Sequence, residues 1–201
     1  MKKFSIFSIL VFSVILSQAF QMFDVSDFGA TLAMAIPVGT MYSLNQFRNL
    51  GETAIMHPSE WKRTLVAQDD IGFGLAVSRG TNPGSGRLFS GASQIFVGVA
   101  ARSIEASKLD DNQYADKDVL AIFDTGIPSV YVEEAVNEHS PVRIRHTVGT
   151  DPEQIVGGFA TTAENDKTTL ITGAKFLGST TGPGIVPIHL SGVYTQTPDA
   201  A

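Results

Sequence analysis

The sequence predicts a mainly β protein, an antiparallel β-sandwich or small β-barrel of jelly-roll-like type, with an extended N-terminal arm. Three observations lead there. Only 17% of the 201 residues are charged, while 19 are Gly and 13 are Phe, a turn-rich composition with little charged surface. From Val119 onward short apolar segments start roughly 10 to 15 residues apart, the rhythm of a sandwich or barrel. Finally, Val142 to Val148 alternates, with Val142, Ile144, His146 and Val148 on one face and Arg143, Arg145 and Thr147 on the other.

The elements follow in order. Residues 1–69 read as an N-terminal apolar arm with short elements, and 70–201 as the β domain. Within the arm, Met1-Lys2-Lys3 precedes an apolar run from Phe4 to Leu16, and Ser17-Gln18-Ala19 ends it. A basic start, an apolar centre and a small-residue site resemble a secretory signal over 1–19. Two alternatives stay open: a start at Met22, or a retained arm whose Ile, Val and Phe suit an added strand. Phe20, Phe23 and Phe28 continue the apolar stretch without a helical period. Around Trp61, in Pro58-Ser59-Glu60-Trp61-Lys62-Arg63, a helical turn is expected.

Predicted strands then run over Ile71–Val77, Gln94–Ala101, Val119–Phe123, Val130–Val132, Val142–Val148, Ile155–Thr161, Thr169–Leu177 and Ile185–Tyr194. Ser78 to Gly86 reads as a Gly/Ser/Pro-rich loop, and Pro187 points to an edge strand or a bulge. No alternation of helix and strand appears, which disfavours a doubly wound nucleotide fold.

Chemistry is sparse. With no Cys, disulfides, thiol nucleophiles and cysteine metal sites are excluded. A net charge of −6 is the wrong sign for wrapping phosphates. The acidic stretch Asp110 to Asp118 fails as a calcium loop, because Tyr114 and Ala115 occupy positions where ligand and glycine belong and Ala121 replaces the closing glutamate. It reads as a solvated loop. His57, His139, His146 and His189 form no H-x-H or H-x-x-x-H pair, and His146 and His189 read as strand histidines. No G-x-S-x-G occurs. Glu133 and Glu134 are neighbours on a strand and point to opposite faces, so they do not converge. Arg143 and Arg145 share one face; they would grip a partner's carboxylates or, more commonly, pair with this chain's own acids. No catalytic, cofactor or metal site is expected.

The region from Ile71 onward, about two thirds of the chain, resembles the cement, or head-decoration, proteins of tailed bacteriophages. The resemblance rests on the order of several phrases: IGFGLAVSRGT (71–81), FVGVAARS (96–103), YADKDVLAIFDTGIPSVYVEEAV (114–136), SPVRIRH (140–146) and the closing GGFATTAENDKTTLITGAKFLGSTTGPGIVPIHL (157–190). It implies a virion protein on the outer capsid surface, with the major capsid protein and its own copies as partners, no nucleic acid and no small-molecule substrate. Its implied work is to bridge capsid subunits and hold the shell against packed DNA. Capsid contacts are expected at Phe20, Phe23 and Phe28 of the arm and at Arg143 and Arg145. The alternative is an exported β-sandwich binding module, with residues 1–19 cleaved. A secreted hydrolase would need two or more of the four histidines around one polar pocket.

Overall fold

A computed structural model describes residues 49–55, 57–103 and 112–199. Phe20, Phe23, Phe28 and the signal-like stretch lie outside them. Among the described residues there is no helix. The strands are β1 (Trp61–Ala67), β2 (Ile71–Gly72), β3 (Ala76–Arg79), β4 (Ser85–Leu88), β5 (Phe96–Ala100), β6 (Gln113–Tyr114), β7 (Val119–Gly126), β8 (Ser129–Val132), β9 (Arg143–Arg145), β10 (Phe159–Ala160), β11 (Thr168–Phe176) and β12 (Gly184–Pro198).

Ten of them form one sheet that closes twice. The order β1-β4-β3-β5-β7 returns on itself through a β1–β7 pairing, making a five-stranded barrel. The order β12-β11-β9-β10-β8 returns through β8–β12, making a second ring. The rings meet where β7 and β12 pair, Gly126 opposite Leu190 and Thr125 opposite Ser191. Pairing is antiparallel except for β1–β4 and β8–β10. β2 and β6 form a separate two-stranded ribbon.

Two apolar layers result. One fills the barrel with Ala67, Val77, Val97, Leu120 and Ile122. The other combines Ala76, Phe96, Val99 and Phe123, from the opposite faces of the same strands, with Ile144, Phe159, Phe176 and Ile188 of the second ring. Strand β5 and the middle of β3 and β7 are therefore covered on both faces, which is why they read as nearly unbroken apolar runs. All five residues of β5 are buried.

Several sequence expectations change. Trp61 begins a strand, not a helical turn: Arg63 to Val66 pair residue by residue with Ile122 to Val119. The predicted strand Ile71–Val77 is two, broken at Phe73-Gly74-Leu75, where Gly74 has φ 74° and donates its N–H to Ala100 O at 2.9 Å. The loop expected over 78–86 is a hairpin whose second arm is β4. β12, holding Pro187, is not an edge; it pairs with β11 on one side and with β7 and β8 on the other. Proline is tolerated because its carbonyl accepts from Leu177, just past the end of β11, so the missing N–H falls where that ladder has stopped. In Val142–Val148 the alternation holds for Val142, Ile144 and His146, but Val148 is 69% exposed and Arg145, on the polar face, is 0% exposed.

β5 carries a bulge: Val77 faces Gly98 and Ser78 faces Phe96, which leaves Val97 inserted and free to enter the barrel. Gly98 has φ 148°, and a Cβ there would lie 2.1 Å from Phe123 O. Gly98→Ala should cost upward of about 3 kcal/mol, from backbone strain plus forced separation of β5 and β7. Urea denaturation of the purified variant measures it; an unchanged midpoint would contradict this packing.

Candidate interaction surface

The Arg145 guanidinium is fully buried. Its Nε and Nη2 donate to the two carboxylate oxygens of Glu133 at 2.7 and 2.6 Å, a bidentate pair. Nη1 donates to Glu164 Oε2 at 3.2 Å, and Nη2 also meets Glu164 Oε1. Gln154 and Lys167 approach Glu164 from outside at 3.3 Å each. One cation thus joins the end of β8, strand β9 and the loop before β11. Arg143 closes a second tie. Its Nε donates to Asp199 Oδ2 at 3.1 Å and its Nη1 to Thr161 O at 2.6 Å, while Thr168 Oγ1 donates to Asp199 at 2.6 Å. Both arginines therefore pair with the chain's own acids, the commoner of the two outcomes considered. Arg145 is not available to a partner's carboxylate.

Glu133 and Glu134 diverge as their spacing requires. Glu134 turns to the loop after β10, where it accepts from the N–H and hydroxyl groups of both Thr161 and Thr162. Burial pushes the Glu134 carboxyl up, but those donors outweigh it and hold it below the ordinary range. The Arg145 hydrogen bonds lower Glu164. Burial raises Glu133 even with Arg145 beside it, and burial lowers His146.

The histidines do not assemble a catalytic pocket. His57 and His189 meet edge to face at 5.4 Å, yet His57 Nδ1 already accepts the Ser59 N–H. His146 packs against Phe89. Among the described residues no group of three or more metal-binding side chains converges. Tyr114, from the failed calcium pattern, is buried and donates to Ala101 O at 2.6 Å.

What the outer face offers instead is apolar. Trp61 is 66% exposed, Val66 49%, Val119 70% and Val193 78%. Val66 and Val119 are directly opposed across β1 and β7, so they form one patch. Trp61 faces Thr125, and Thr125 faces Ser191, two residues before Val193. Val66 and Val119 line the outer side of β1 and β7, whereas Trp61, an odd number of positions from Val66, alternates to the other face at the end of β1, beside the seam between the rings. Large apolar groups left in water at neighbouring positions mark contact surfaces. The sequence reading passed over them; a lone Trp among charged residues at 60–63 was the available signal.

Two outcomes follow from the ion network. Arg145→Met strands Glu133 in the interior and should cost about 3–5 kcal/mol, whereas pairing it with Glu133→Leu should restore much of the loss; chemical denaturation of both variants reads the difference. Acid acts through Glu134 and Glu164. Their folded-state pKa values lie below the unfolded one, so their stabilisation is present above about pH 4.5 and is lost as pH falls through the folded values. Glu133 has the opposite sign and partly offsets them. Thermal midpoints between pH 7 and pH 3 should fall on acidification, and less steeply in Glu134→Gln.

No curated protein matches the chain. Among solved structures, a chain from "The capsid of Myoviridae Phage XM1" superposes with a TM-score of 0.57 at 16% identity, covering 71% of this chain and 89% of that one. The head fiber gp8.5 N base of bacteriophage phi29 superposes with a TM-score of 0.38 at 9% identity, over 69% of this chain and 99% of that one. The first shows a shared fold; the second carries no argument. The family described as "Structural cement protein (E217 gp24/Pam3 gp6)" matches residues 46–191, most of the chain and nearly all of the two-ring body. The chain thus belongs to the phage structural cement proteins, non-enzymatic components of the capsid.

Proposed function

We propose that the protein lies on the outside of an icosahedral head, bridges neighbouring major capsid subunits, and braces the shell against the pressure of packed DNA. The observation that carries this is the pairing of a doubly closed body with exposed apolar side chains at Trp61, Val66, Val119 and Val193. Closed rings resist shear, because strands cannot slip without breaking ladder bonds on both sides. Contacts of modest area, repeated by symmetry over a lattice and among copies of this chain, add through avidity. A net charge of −6 suits an outer surface that has no nucleic acid to bind. The arm around Phe20, Phe23 and Phe28 is assigned to drape over adjacent subunits. Arg143 and Arg145 fix the loops that carry Glu133, Glu164 and Thr161.

Heads assembled without the protein, then supplied with it, should rupture at a higher temperature than untreated heads, as read by DNA release to an intercalating dye. No change in the release temperature at saturating protein would contradict the bracing role. A chain lacking residues 1–28 should keep its β spectrum by circular dichroism yet fail to bind. Normal binding by that chain would remove the arm from the account.

A further inference from the structure

Among the described residues, β1 is hydrogen-bonded along one side only for most of its length. β7 pairs with it from Trp61 to Val66, but β4 pairs with it only at Val66 and Ala67. Ala67 directs its N–H and C=O toward Asp118 and Lys117 on the β7 side. Backbone alternation therefore turns those of Thr64 and Lys62 the other way, where no described strand lies. Beside this open edge is the mouth of the barrel, a cavity of about 480 Å³ floored by Leu65 and Val97 and rimmed by Arg63, Arg79 and the turn at Pro83.

Its charge is unusual for this molecule. Among the described lysines and arginines, all lie within 4.0 Å of one of the chain's own carboxylates except Arg79 and Lys175. Arg79 is exposed and lines the mouth. Arg63 is only loosely held: Nη2 donates to Val97 O at 3.3 Å, while Nε is buried without a hydrogen-bond partner, 3.8 Å from Asp124. An acidic chain thus presents, at one strand edge open among the described residues, an unpaired guanidinium on Arg79 beside the loosely held one of Arg63, over an apolar floor.

We propose that this edge receives an extended segment of the capsid subunit, which adds as a strand along Lys62–Leu65, seats a small apolar side chain over Leu65 and Val97, and places a carboxylate between Arg63 and Arg79. Strand addition supplies backbone hydrogen bonds and the pocket supplies selectivity. A second copy of this chain is the poorer occupant, because a twofold β1–β1 pairing would bring the Arg63 and Arg79 pairs of both copies together. The inference rests on the cement role proposed above and adds where, and by what chemistry, the capsid is gripped.

The test uses full-length protein titrated onto purified heads that lack it. Thr64→Pro removes an N–H aimed at the open edge and leaves the β7 ladder whole; Arg79→Glu reverses the unpaired cation. Each should weaken binding roughly tenfold or more. Lys175→Glu, reversing the other unpaired cation, should stay within about twofold. Thermal midpoints confirm that each variant is folded, and Arg79→Glu, an exposed change, stands in if Thr64→Pro fails to fold. Wild-type affinity in Arg79→Glu or in a folded Thr64→Pro overturns the proposal. So does a loss of self-association by sedimentation with head binding intact, which would assign the edge to a second copy. Failure of the wild-type protein to bind heads defeats the cement role itself, a separate result.

Discussion

Everything in this structure depends on β7 serving two rings at once. It pairs with β1 and with β5 inside the barrel, and at Thr125 and Gly126 it passes the sheet on to β12. Because its middle is covered on both faces, its side chains past the exposed Val119 alternate between two cores, Leu120 and Ile122 into one, Phe123 into the other. The Gly98 bulge is part of the same constraint. Without an inserted residue and a missing Cβ, β5 could not send Val97 into the barrel and still lie against the Phe123 carbonyl.

The polar interior follows the same logic. Arg145 is the largest fully buried side chain, and it is held by two glutamates from separate segments. Such a triad adds little net stability over a well-packed apolar cluster, but it penalises any arrangement that leaves one member unpaired. It ties two irregular segments, the end of β8 and the loop before β11, to β9 in a ring whose strands β9 and β10 are only three and two residues long. A molecule built this way is stiff where regular structure is short, and it keeps its polar chemistry for internal ties. That suits a protein that works by attachment.

Much of the fold was legible in the sequence where apolar runs were long enough to show a period. β5, β7, β11 and β12 announced themselves through Gln94–Ala101, Val119–Phe123, Thr169–Leu177 and Ile185–Tyr194. β1 and β4 did not: most of β1 is exposed, and β4, though none of its residues is exposed, has Leu88 as its one large apolar residue, so Trp-Lys-Arg-Thr and Ser-Gly-Arg-Leu carry too few apolar residues to display alternation. The burial of Arg145 was equally hidden, since its cover comes from Glu133 and Glu164, twelve and nineteen residues away. Closure of the rings depends on pairings such as β1 with β7 and β8 with β12, which no local pattern encodes. The interaction surface was the least visible part. Exposed Val66, Val119 and Val193 look like core residues until the topology shows which way they face. The family, by contrast, was recognisable from the order of unremarkable phrases.

The central claim is that the two-ring body acts as a clamp between subunits. Electron cryo-microscopy of mature heads at side-chain resolution tests it most directly. The account predicts density for the two-ring body on the outer surface, each copy touching at least two capsid subunits, with the Val66 and Val119 side of β1 turned toward the shell. Copies found on the inner surface, or each touching a single subunit with β1 facing solvent, would contradict it.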